Sequence, residues 1–93
     1  MKHTCYELKA RNKSHQVEVG WDGIFETYFL VVFDRSRLNR NQLEFNFGFP
    51  GTALFYLGKR PNEISTVQEL VTRAKAFAQI PTQVIGSLLE DRV

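Results

Sequence analysis

Apolar and polar residues alternate twice near the start of the chain: Tyr6, Leu8 and Ala10 against Glu7 and Lys9, then Val17 and Val19 against Gln16 and Glu18, with the polar run Arg11-Asn12-Lys13-Ser14 between them. A period of two puts every second side chain on one face of a strand, so the pattern predicts a β-hairpin with one apolar face. Two registers keep that face intact. One sets Glu7 opposite Glu18 and the other sets Lys9 opposite Glu18; cross-strand charge pairing favours the second.

Beyond a turn at Gly20-Trp21-Asp22-Gly23, the run Phe25 to Phe33 is aromatic and β-branched and is apolar on both alternating sets in its second half, which predicts a central strand. Arg35 to Gln42 is polar and basic. Leu43, Phe45, Phe47 and Phe49 then alternate with Glu44, Asn46 and Gly48 as a one-sided strand, Pro50-Gly51 turns the chain, and Ala53 to Leu57 makes a shorter strand closed by Gly58 and Lys59-Arg60-Pro61-Asn62. The period then changes. Val67, Leu70, Val71, Ala74, Phe77 and Ala78 recur at three and four residues on one helical face, with Thr66 and Glu69 at capping-box spacing. Ile80-Pro81 breaks that helix, and Pro81 opens a second one carrying Val84, Ile85, Leu88 and Leu89. The expected fold is therefore α+β: an antiparallel meander of about five strands followed by two C-terminal helices packed on one face.

At 93 residues, with 43% hydrophobic and 24% charged residues, the chain is expected to form a single domain over its whole length. The single cysteine, Cys5, cannot form an internal disulfide. With no apolar run that would direct secretion or span a membrane, the expected location is cytoplasmic. A net charge of +2 is too small to point to nucleic acid by itself, so the placement of the charges has to decide.

Catalytic chemistry finds little support. A thiol nucleophile needs an imidazole beside it, but in either hairpin register His15 lies at the turn while Cys5 is five or more residues down the strand, roughly 16 Å away at the rise of an extended chain. His3 sits too near the start of the chain to be expected in a fixed position. The spacing of His3, Cys5 and His15 fits no zinc pattern, the carboxylates are scattered singly, and the glycines lack phosphate-loop spacing, so neither a metal nor a cofactor is expected. An aromatic plate beside a carboxylate, Trp21-Asp22, is a weak ligand-binding candidate.

Two surfaces remain. If consecutive strands are antiparallel neighbours, the connections after the first, third and fifth strands emerge at one end of the sheet, which gathers Arg11, Lys13, Arg35, Arg37, Arg40, Lys59 and Arg60 as a candidate nucleic-acid interface. On the central strand, Phe25, Phe29, Val31 and Phe33 form one row, and Tyr28, Leu30 and Val32 form the other. Two helices cannot cover both rows. Tyr28, Leu30 and Val32, with Leu54 and Tyr56 of the last strand, are thus expected as an apolar patch for a protein partner or a second copy.

Gly20-Trp21-Asp22 before a strand containing Thr27-Tyr28-Phe29, then Thr66-Val67-Gln68-Glu69-Leu70, Ile80-Pro81 and Leu89-Glu90-Asp91-Arg92 together resemble a group of small, uncharacterised bacterial proteins. The similarity runs from Val17 to Arg92, with Arg35 to Phe49 as an expansion. It implies a bacterial or mobile-element setting and carries over no site residue. The expectation is a non-enzymatic interaction or regulatory module acting through the sheet face, with nucleic-acid binding by the basic loops, and a small-ligand binder or enzyme at the Trp21 turn, as the alternatives.

Overall fold

The computed structural model describes residues 3–35 and 53–92. Four strands, β1 His3–Leu8, β2 His15–Asp22, β3 Thr27–Asp34 and β4 Ala53–Leu57, form an antiparallel sheet in the order β1-β2-β3-β4. Two helices follow, α1 Val67–Ala74 and α2 Thr82–Asp91, with α1 against β3 and α2 against β1 and β2. The α+β class and the antiparallel sheet agree with the sequence. The strand count does not, because the described residues contain four strands, and the expected strand Leu43–Phe49 lies outside them. β4 pairs antiparallel with β3, Leu30 opposite Leu57, where a fifth strand of a meander would run parallel to the third.

Register decides which face the helices cover. Tyr6 stands opposite Val19 and Val19 opposite Leu30; Leu8, Val17 and Val32 align in the same way. Cross-strand partners share a face. The one-sided apolar rows of β1 and β2 therefore carry Tyr28, Leu30 and Val32 under the helices, in a core with Ile64, Leu70, Ala74 and Leu88. Phe29, Val31 and Phe33 face the other way, opposite Gly20, Glu18 and Gln16, and pack with Ala53 and Tyr56.

The hairpin takes the register that charge pairing disfavoured, with Glu7 opposite Glu18. Neither carboxylate is left to the other. Glu7 accepts from the Arg35 guanidinium at 3.1 Å, while Glu18 accepts from Cys5 Sγ at 2.8 Å and from Gln16 Nε2 at 2.9 Å. β1 stops at Leu8 because Ala10 pairs with Ala78 and the Arg11 amide donates to Phe77 O. The same pairing ends α1 at Ala74, short of Phe77 and Ala78, although both still pack on the core.

Side-chain hydrogen bonds tie the helical layer to the sheet. Thr27, fully buried, accepts from the Ile64 amide at 2.8 Å and donates to carbonyls, while the Tyr28 amide donates to Ile64 O. Tyr28 Oη reaches Leu88 O at 3.0 Å. Asp91, buried at the end of α2, accepts from Thr4 Oγ1 at 2.7 Å and Tyr6 Oη at 2.6 Å. Thr66 caps α1 by accepting from the Glu69 amide, as its spacing predicts, whereas Pro81 stands one residue before α2 with extended ψ.

Two glycines make opposite demands on substitution. A Cβ on Gly20 would come within 2.6 Å of the Phe29 ring and closer still to Thr4 O, whereas one on Gly86 would meet nothing within 4 Å. Gly86→Ala should accordingly raise stability by about 0.5–1 kcal/mol by reducing chain entropy in a helix interior. Gly20→Ala should lower it by about 1–3 kcal/mol through overpacking. Urea denaturation of both variants reads the two signs; a destabilised Gly86→Ala would show that α2 is not packed as described.

Candidate functional site

The residues expected to form a partner-binding patch do not come together. Tyr28, Leu30 and Val32 are at most 1% exposed beneath the helices. Tyr56 stands opposite Val31 on the other face, and Leu54, 53% exposed, sits where the β3–β4 register shifts. Burial is the main cause that pushes the Tyr28 phenol above its ordinary pKa. Register thus assigns Tyr28, Leu30 and Val32 to the core and separates them from Leu54 and Tyr56.

Trp21 and Asp22 are both engaged within the fold. Trp21 belongs to β2 and packs edge-on to Tyr28 with ring centres 4.9 Å apart, under the Arg92 guanidinium at 5.9 Å. Asp22 Oδ1 accepts from the amides of Ile24 and Phe25 at 2.9 and 3.1 Å, which shapes the β2–β3 turn and exposes those two side chains.

Cys5 holds its proton. Burial around the sulfur comes first, then the hydrogen bond to Glu18 and the charges of Glu18 and Glu7; all push the thiol's pKa up and away from a nucleophilic thiolate. His15, opposite Asp34, lies at the far end of β2 from Gly20, the partner of Cys5. His3 stacks on Phe29 at 5.8 Å and approaches Asp22 at 3.9 Å. Among the described residues no group of three or more His, Cys, Asp or Glu gathers as a metal site, and no helix is long and apolar enough to cross a membrane.

The basic residues divide between the two ends of the sheet. Arg11, Lys13 and Arg35 follow β1 and β3, which run the same way, and meet at the hairpin end. Lys59 and Arg60 follow β4, which runs the other way, and lie beside the β2–β3 turn, where the Asn62 amide donates to Phe25 O. That separation corrects the expected cluster; Arg37 and Arg40 lie outside the described residues. Lys59 is also engaged, its ammonium 5.4 Å from the Tyr56 ring centre.

At the hairpin end the chain makes two open clefts. After Leu8 the strand leaves β2 and turns to Ala78, so the hairpin splays. A cleft of about 450 Å³ opens on one side, lined by Glu7, Lys9, Lys13, His15 and Arg35 among others. A second, of about 550 Å³, lies on the helix side between Lys9, Arg11, Gln79 and Pro81. Lys9 borders both. With Glu7 opposite Glu18 and the β1–β2 pairing ending at Leu8, Lys9 lies beyond the ladder at this end, not across from Glu18.

The cations differ in freedom. Arg11 Nε donates to Lys75 O at 2.8 Å, so its guanidinium is anchored at the end of α1. Arg35 is held at Nε by His15 O at 3.1 Å and at Nη2 by Glu7. Lys9 and Lys13 are exposed. Among the described residues, Lys9, Arg11, Lys13 and Arg35 line the two clefts, and Glu7 is the one carboxylate that lines either of them.

The chain matches no protein-family model, no curated protein and no solved structure. Its own geometry therefore carries the functional reading.

The state of Cys5 is directly measurable. At pH 8 its thiol should react with a disulfide reagent more slowly in the folded protein than in urea, even though the residue as a whole is exposed. Glu18→Gln should speed the folded reaction by removing the neighbouring charge. Equal rates folded and unfolded would show that the thiol is not held as described.

Proposed function

We propose that this protein is a non-enzymatic binding domain that takes nucleic acid on the hairpin end of its sheet. One observation carries the reading: two open clefts flank the splayed strand end, and Lys9, Arg11, Lys13 and Arg35 line them. Phosphates are the ligand such a surface suits, because each contact releases condensed counterions and the gain is independent of sequence. Lys9 and Lys13 act as mobile point charges. Arg11 and Arg35 act as guanidinium groups fixed by backbone carbonyls, and so offer donors in a set direction at little further entropic cost.

The protein-partner reading loses support with Tyr28, Leu30 and Val32 in the core, and the Trp21 reading with Asp22 committed to its turn. Neither Lys59 nor Arg60 belongs to the proposed surface. Among the described residues that line these clefts, the one aromatic ring is the His15 imidazole, so the reading is one of backbone recognition.

The test is retention of a mixed-sequence DNA strand across a salt series. Binding should weaken steeply with salt, and the double variant Lys9→Glu with Lys13→Glu should bind less and lower the logarithmic salt slope by about 1 per lost phosphate contact. Lys59→Glu with Arg60→Glu should leave both unchanged. No retention by the wild type, or equal loss in the two double variants, would remove the hairpin end as the site.

A further inference from the structure

Glu7 is out of place on a surface built for anions. It lines the first cleft, and its Oε2 lies 3.1 Å from Nη2 of Arg35. Both side chains are about half exposed, 49% for Arg35 and 54% for Glu7, so the pair is open to exchange with a ligand. Arg35 does not depend on Glu7 for its position, since Nε is bonded to His15 O and its amide to Ser14 O. The carboxylate therefore occupies a guanidinium that would be oriented without it.

We infer that Glu7 makes the first cleft selective for a terminal phosphate monoester, the phosphorylated end of a nucleic-acid strand, over the phosphodiesters within it. This rests on the nucleic-acid reading of the hairpin end. An internal diester carries one negative charge, the same as the carboxylate it must displace, so the exchange at Arg35 gains little. A monoester carries about −1.5 to −2 at pH 7 and presents three terminal oxygens. It can take a guanidinium from a carboxylate and still accept from Lys9, Lys13 and His15, which line the same cleft. The cleft, about 450 Å³, has room for a nucleotide's terminal phosphate beside Arg35. The second cleft, with Arg11 beyond Lys9, continues the basic surface for the rest of the strand, which favours nucleic acid over a phosphorylated peptide as the source of the monoester.

The experiment compares one short mixed-sequence DNA strand with a 5′-phosphate and the same strand with a 5′-hydroxyl, titrated by fluorescence anisotropy into the wild type and into Glu7→Gln; a phosphoserine peptide is the third ligand. The wild type should bind the phosphorylated strand roughly tenfold more tightly, the scale of one added charged hydrogen bond. Glu7→Gln should narrow that ratio by strengthening binding of the hydroxyl strand. Equal affinity of the wild type for both strands, or a ratio unchanged in Glu7→Gln, overturns the inference and leaves nucleic-acid binding standing. Binding of neither strand overturns both. Binding of the peptide as tightly as the phosphorylated strand, with the hydroxyl strand unbound, overturns the assignment to nucleic acid.

Discussion

Val19 has Tyr6 directly opposite on one side and Leu30 on the other, and this alignment governs the arrangement of the rest. β2 has large apolar side chains on one face alone, with Gln16, Glu18 and Gly20 on the other, so only one face can supply an apolar row to the helices. β3 can bury either way. Once the two strands align, Tyr28, Leu30 and Val32 must face the helices, and the position of every charged residue on β1 follows. Slipping the pairing by a single residue would expose the whole row.

The chain's early and late segments are joined by a carboxylate. Asp91 is buried, and both Thr4 and Tyr6 donate to it. A buried carboxylate is tolerated only when its oxygens are satisfied, so the network fixes α2 against β1 with a geometry that apolar contacts alone would not impose. The Tyr6 phenol is pushed above its ordinary pKa, first by its hydrogen bond to Asp91. Arg92, next in sequence, turns the other way to donate to Ser65 O and to cover Trp21. These adjacent residues secure α2 to the sheet and to the segment before α1.

Much of the architecture was legible because it is local. The alternation of β1 and β2, the Thr66 cap and the break at Ile80-Pro81 each depend on a few neighbouring residues. What was not legible depends on residues distant in sequence. The Glu7–Glu18 register is tolerable because Arg35 arrives from the end of β3, and α1 stops at Ala74 because Ala10 pairs with Ala78. The choice of face on β3 was misread because its own pattern is apolar on both sides, although the polar face of β2 contained the answer. Of the basic site, Arg11, Lys13 and Arg35 were legible from the order of strands. Lys59 and Arg60 were misplaced because β4 runs opposite to the direction that a count of five strands required.

The exchange of partners at Ala10 also bears on how the protein folds. A hairpin usually closes on its own, within microseconds and from residues near in sequence. Here the last pairing of the first strand is made with a residue 68 positions later, Ala78, so its completion waits on docking of the helical layer. The Arg11 amide, bonded to Phe77 O, records that event. Its exchange with solvent deuterium reports on when the helices leave the sheet, separately from when the hairpin opens. The loop that forms the clefts is thereby coupled to the core, and any ligand that stiffens one should slow the opening of the other.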